Sequence, residues 1–186
     1  FSSYIEGLQE VGIDIEATKE PYEDLMTNIR EMPDIEEEIC KSIESPEAIL
    51  EGLPYDSSVV LELQLENGFR ASESLEICTN LDKYLSDDGY LEGVQGKGGR
   101  IYEPKPLSEE LIKKIEDINK VPSYTTYENH LKKYDITSHQ ARYTYVKDSY
   151  EKGIEQGKEH KELLSEISRE INHSRADITQ YYLNRA

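Results

Sequence analysis

The stretch INHSRADITQYYL, Ile171 to Leu183, sets His173 nine residues ahead of Tyr182, with Arg175, Asp177 and Thr179 between them and Tyr181 next to Tyr182. A helix near a chain end usually needs only an apolar stripe on one face. Here a base, a cation and hydroxyls interrupt that stripe. Two tyrosines one residue apart on a helix diverge by about 100°, so Tyr181 and Tyr182 meet different surroundings.

Working outward from this segment, RADITQYYLNR reads as the last helix and KEHKELLSEISREI as the one before it. TSHQARYTYVKDSYEKG reads as a helix ending at Gly153, and YTTYENHLKKY as a short one. SEELIKKIEDINK is amphipathic with a Ser-x-x-Glu-like start. Upstream, KYLSDDGYLEGVQGKGGRIYEPKPLS has turn signals at Asp88-Gly89 and at GKGG with β-prone segments between them. It predicts a two- or three-stranded β-meander closed by Pro104 and Pro106. ASESLEICTNL reads as helix. DSSVVLELQLENG starts on an Asp/Ser cap and ends at Asn67-Gly68; its alternation would also suit a strand, but helix is the expectation. PEAILEGL ends at a glycine, and PDIEEEICKSIES places Ile35, Ile39 and Ile43 four apart on a short amphipathic helix. SYIEGLQEVG and EPYEDLMTNIREM are helix-like, and Pro33 closes them off. The fold class is mostly α with a small antiparallel β-sheet, α+β.

At 186 residues the chain can form one good core, or one domain with an appendage. No apolar run is long enough to cross a bilayer, and the first residues lack the basic-then-apolar pattern expected of a signal peptide. A start at Phe1 is expected of a piece of a longer chain. Cys40 and Cys78 have no metal-ligand spacing and suit free thiols in a reducing cytosol. Net charge is −18. Residues 1–66 hold 18 Asp/Glu against 3 Lys/Arg, a net of −15, and residues 67–186 hold 21 against 18, a net of −3. An acidic whole argues against non-specific DNA binding, whose affinity comes mainly from phosphate neutralisation. The near-neutral remainder, however, has room for a basic face.

Four patterns there belong together. Arg70 follows a glycine turn in NGFRASESLEI, Lys97 tops the GKGG hairpin, His139 and Arg142 stand three apart in SHQAR, and His173 precedes Tyr182. Taken singly, each suits a capping arginine, a solvated turn lysine, a surface pair and a packed aromatic. Taken in order, they resemble the catalytic domain of the tyrosine recombinase, or phage integrase, family. NGFRASESLEI is similar to its first box, GKGGRIYEPKPL to its β-hairpin lysine and exit strand, HQAR to the His-x-x-Arg of its second box, and INHSRADITQYYL to its nucleophile segment. Asn172 stands where that family usually has glycine, Ala141 where it has leucine, and Tyr143 where histidine is common.

The resemblance implies the DNA breaking-rejoining enzyme fold over residues 34–186. Residues 1–33 would be an acidic linker, an insertion or the remnant of a helical core-binding domain, facing away from DNA or covering the basic face. It implies site-specific recombination or integration, for a phage or other mobile element, through a 3′-phosphotyrosyl intermediate. Arg70 and Arg142 would clamp the phosphate, since guanidinium is always charged and binds two oxygens at once. Lys97 would protonate the leaving 5′-hydroxyl, His139 act as acid/base and His173 bond a non-bridging oxygen. Tyr182, selected over Tyr181 by its distance from His173, would be the nucleophile. Glu73 would support Arg70, and Arg175 would either touch a phosphate or sit on a solvated face. No cofactor or metal is implied. The partners would be double-stranded DNA and further protomers, a tetramer on paired sites, with no membrane and a cytoplasmic, nucleoid-associated location. The alternatives are a type IB topoisomerase-like or telomere-resolving enzyme, and an inactive DNA-binding or interaction module on the same fold.

Overall fold

The computed structural model describes residues 42–186, apart from Ser174 and the side chain of Ala176. The expectations for residues 1–33, and for Ile35 and Ile39, lie outside the described residues. Nine α-helices are present among them: α1 Pro46–Gly52, α2 Tyr55–Asn67, α3 Ala71–Thr79, α4 Leu81–Tyr84, α5 Glu109–Glu116, α6 Tyr124–Leu131, α7 Ser138–Glu155, α8 His160–Glu170 and α9 Ala176–Leu183. A 3₁₀ turn at Lys132–Tyr134 follows α6. Strands β1 Tyr90–Leu91 and β2 Lys105–Pro106 pair antiparallel, with Tyr90 opposite Pro106 and Leu91 opposite Lys105.

Helix α2 is the axis of the larger core. Val59, Val60, Leu61 and Leu63 are all buried, so α2 is apolar on more than one face and its sequence mimics the alternation of a strand. Its end settles the matter. Gly68 takes the left-handed conformation at φ 67°, and its N–H donates to the Gln64 carbonyl at 2.8 Å, a glycine C-cap that strands do not use. Gln64, wholly buried, is fully occupied. Its Nε2 donates to the carbonyls of Phe69 and Ser138, and its Oε1 accepts from the Tyr127 hydroxyl at 2.6 Å. This amide ties α2 to α6 and α7.

The meander is rudimentary. Beyond the β1–β2 pair, single antiparallel bridges join Leu85 to Leu91 and Gln95 to Ile101. The second bridge forms the hairpin around Lys97, which the Gly96 N–H closes on the Arg100 carbonyl at 2.7 Å. Two further expectations are corrected. Ser42–Ser45 is not helical: Ser45 precedes a proline, which disfavours the α conformation, and the Ile43 N–H donates to Thr144 Oγ1 at 2.8 Å instead of to a helical carbonyl. Helix α7 runs past Gly153 to Glu155, and the glycine that ends it is Gly157, at φ 78°.

Helix α7 divides two apolar clusters. Ala141 belongs to the larger one around α2, α3, α5 and α6, whereas Tyr143 and Val146 join Leu163, Ile167, Ile171 and Tyr182 in a smaller one shared with α8 and α9. Gly153 lets α8 approach α7, because a Cβ there would lie 2.1 Å from Leu163 Cδ2. At an ordinary exposed helical site, glycine to alanine stabilises by up to about 1 kcal/mol. At this one the sign reverses: Gly153→Ala is expected to destabilise by about 1–3 kcal/mol through overpacking, read as a lowered urea midpoint with an unchanged m-value.

Candidate functional site

The site assembles where the two clusters meet. Arg142, on the second turn of α7, is only 1% exposed. Its Nη1 donates to the Gly68 carbonyl at 2.9 Å and to the Tyr102 hydroxyl at 3.3 Å, and its Nη2 donates to the Ile171 carbonyl. Its Nε, also buried, has no partner among the described residues. The guanidinium thus reaches the C-cap of α2 on one side and the end of α8 on the other.

Arg70 is the residue before α3, and its backbone N–H is capped by Glu73 Oε2 at 2.7 Å. Its Nη1 pairs with Glu73 Oε1 at 2.9 Å and reaches the Tyr102 hydroxyl at 3.4 Å. The Tyr102 hydroxyl therefore accepts from both arginines and donates to Glu73 Oε2 at 2.7 Å. Burial, opposed by Arg142, pushes this phenol up to about 12, so it stays protonated and keeps donating. No described carboxylate other than Glu73 bonds either guanidinium. Glu73 pairs with Arg70 and Arg142 meets no described carboxylate, so the surplus is positive in a chain that is acidic overall.

That surplus governs the histidines. His173 Nε2 lies 3.4 Å from Arg70 Nη2. Arginine offers only donors, so this nitrogen accepts and the ring is neutral. Burial, then Arg142, Arg70 and Arg100, lower its pKa from 6.5 to about 4. The turn carrying it is fixed by Ser168: the His173 N–H donates to the Ser168 carbonyl at 2.7 Å, and Ser168 Oγ donates to the carbonyls of His173 and Arg175. His139, on the first turn of α7, is also held below its usual range, by partial desolvation and then by Arg142 and Arg70.

Tyr182, 6% exposed, places its ring among these groups: its centroid is 4.7 Å from Tyr143, 5.8 Å from His139 and 6.3 Å from His173. Tyr181 turns away. It is 47% exposed, with the Arg185 guanidinium 4.3 Å from its ring centroid. Lys97 is exposed on its hairpin and has no hydrogen bond or ion pair with a described residue. It lines a cavity of about 420 Å³ that Arg70, Ser72, Glu73 and Gln95 also line. Arg70, Arg142, His139, His173 and Tyr182 are thus brought together directly, and Lys97 only across this cavity. Arg175 lies apart, exposed and paired with Asp177. Among the described residues no three His, Cys, Asp or Glu side chains are grouped to hold a metal, and no helix is long and apolar enough to cross a membrane.

Sequence reading missed three contributors. Tyr102 is buried beside an Ile101 that is 64% exposed, and a period-two reading of the hairpin's exit arm would have turned it inward. Tyr143 packs edge-on against Tyr182. Lys105 is buried beneath Phe69 and Tyr145, and burial lowers its pKa to about 8; flanking prolines disguise it as a solvated lysine.

A scan against protein-family models finds no match to this chain, and a search of curated proteins returns none.

Two outcomes follow from the geometry. Tyr102→Phe removes the oxygen shared by both guanidiniums and is expected to cost about 1–3 kcal/mol in urea unfolding, where a loss under about 0.5 kcal/mol would contradict the shared role. In an NMR titration the His173 ring should stay neutral down to about pH 4. Between pH 6.5 and 4 the unfolded chain binds the proton that the folded chain refuses, so this residue's contribution to stability is lost as pH falls through that window.

Proposed function

We propose that this chain is the catalytic domain of a tyrosine recombinase, which cleaves and rejoins DNA strands at specific sites. One observation carries the reading: two guanidiniums converge on a single phenol with only one carboxylate beside them, and a tyrosine ring lies near both histidines. A phosphodiester is a poor electrophile because its non-bridging oxygens are anionic, and the surplus positive charge of Arg70 and Arg142 meets that requirement. No family match and no curated relative supports the assignment; the residues and their geometry do.

In the proposed reaction the Tyr182 oxygen attacks phosphorus. A free phenol has a pKa of about 10, so forming phenolate at pH 7 costs about 4 kcal/mol unless its proton is taken up as attack proceeds. His139, 5.8 Å away between ring centroids and held below its usual pKa by burial and then by its cationic neighbours, is the acceptor. His173 presents a neutral ring to the phosphate. Its Nε2 accepts from Arg70 in the free protein, so it must re-pair when a phosphate oxygen takes over that guanidinium. The P–O5′ bond breaks and Lys97 protonates the departing oxygen. The 3′-phosphotyrosyl bond conserves the energy of the broken strand, so attack by another 5′-hydroxyl reseals the DNA without a nucleotide cofactor. Strand exchange would need further protomers on paired sites.

The test is a nicked suicide substrate bearing the cognate site. Wild-type protein should form a covalent protein–DNA adduct, and Tyr182→Phe none, with Tyr181→Phe retaining it. An adduct that persists in Tyr182→Phe would refute the nucleophile assignment. No adduct with wild-type protein would leave the chain a binding module. Relaxation of supercoiled DNA without a defined site would favour a topoisomerase-like enzyme.

A further inference from the structure

We infer that Asn172 is a positioning residue that latches the Lys97 hairpin to the turn carrying His173. The inference rests on the reading above for its catalytic consequence, and on geometry alone for the latch. Asn172 adopts φ 58°, a left-handed conformation that glycine takes freely and asparagine tolerates best among residues with side chains. With glycine there the backbone could turn the same way. What asparagine adds is an amide, and that amide is engaged: Nδ2 donates to the Arg100 carbonyl at 2.9 Å. The same carbonyl accepts the Gly96 N–H at 2.7 Å, the bond that closes the hairpin. The Asn172 side chain therefore attaches to the hairpin where its two arms join.

Gly96 shows how close the seating is. A Cβ at this position would stand 2.7 Å from Asn172 Nδ2, 3.0 Å from the Tyr102 ring and 3.2 Å from Glu73 Oε1. The residue next to Lys97 is thus lodged against Asn172 and against the two groups that hold the arginines. Beyond it, Gly98 and Gly99 take φ 83° and 80° with little packed against them, so the tip is free to bend while the base is held. Asn172 precedes His173 directly, and His173 Nε2 faces Arg70. One side chain therefore sets the distance between the lysine proposed to protonate the leaving group and the histidine proposed to meet the phosphate.

Asn172→Gly tests this, because it preserves the backbone turn and removes only the amide. The first readout is amide hydrogen exchange, which needs no DNA. Loss of one net hydrogen bond should speed exchange at Gly96 and Gly99 about 5- to 10-fold while the amides of α7 are unchanged; exchange equal to wild type would overturn the latch. Gly96→Ala, which crowds the same amide, should reproduce the change. The second readout compares nicked substrates with oxygen or sulfur at the scissile 5′ position. A thiol has a pKa of about 8.5, so the thiolate departs with the bonding pair and needs no proton. Asn172→Gly and Lys97→Ala should both cleave the oxygen substrate at least about 10-fold more slowly than wild type, and both should come within about 3-fold of it on the sulfur substrate. An Asn172→Gly defect of equal size on the two would show that the residue does not act through Lys97. Wild-type protein inert on both substrates would sink the recombinase reading, while the exchange result would still decide the latch.

Discussion

Arg142 is the constraint around which this molecule is arranged. A guanidinium taken almost wholly out of water needs polar partners for its charge, since an unpaired buried charge costs several kcal/mol, and here both terminal nitrogens find them while Nε finds none among the described residues. Three separate elements supply the partners: the carbonyl that caps α2, the carbonyl that ends α8 and the hydroxyl on the exit arm of the hairpin. None of the three is formed by local sequence. They coincide only when α7 lies between the two apolar clusters, so satisfying one side chain fixes how those clusters meet. The partners are dipoles and not anions. They hold the charge without cancelling it, and what remains uncancelled is what a phosphate would meet.

From this follow the electrostatics of the neighbourhood. Tyr102 binds both arginines through a single oxygen and passes its own proton toward Glu73, so the one local carboxylate, paired with Arg70, reaches Arg142 only through this phenol. The histidines respond to the same field, His173 most strongly because it lies against Arg70 and Arg142 with its ring partly buried. A chain with a net charge of −18 can thus hold a positive site, because charge counted over the whole molecule says little about a pocket where two guanidiniums converge on one phenol. Such a site also has a stability cost. Two cations kept close together would relax if the fold loosened, and the glycine cap, the Glu73 cap and the carbonyl clamps oppose that relaxation.

The parts of this arrangement that were legible in the sequence were those with a local cause. Gly68 marks the end of α2 because a left-handed cap favours a residue without a Cβ, and Glu73 announces itself three residues after Arg70 as a cap. The His139–Arg142 spacing puts both on one face of α7, and the interval from His173 to Tyr182 separates the tyrosine that packs from the one that faces solvent. What was not legible depends on distant chain segments meeting. Nothing near Tyr102 reveals that its oxygen will serve two arginines 32 and 40 positions away. Lys105 sits between residues typical of an exposed turn, yet lies under Phe69 and Tyr145. Asn172 reads only as a departure from an expected glycine until its amide is seen on the hairpin. Helix ends failed for a related reason: Gly153 looks like a stop signal but serves α8, whose Leu163 fills the space a side chain would need.

The central claim is that the surplus positive charge at Tyr102 is there to meet the charge of a phosphodiester. It is tested most directly by removing the same charge from either partner. Cleavage rates of wild-type protein and Arg70→Ala are compared on a suicide substrate with an ordinary scissile phosphate and on one with a neutral methylphosphonate there. If Arg70 acts on the non-bridging charge, the substitution should slow cleavage of the phosphodiester by about 100-fold or more and cost little on the methylphosphonate. An equal loss on both substrates would show that the arginine serves the fold and not the phosphate.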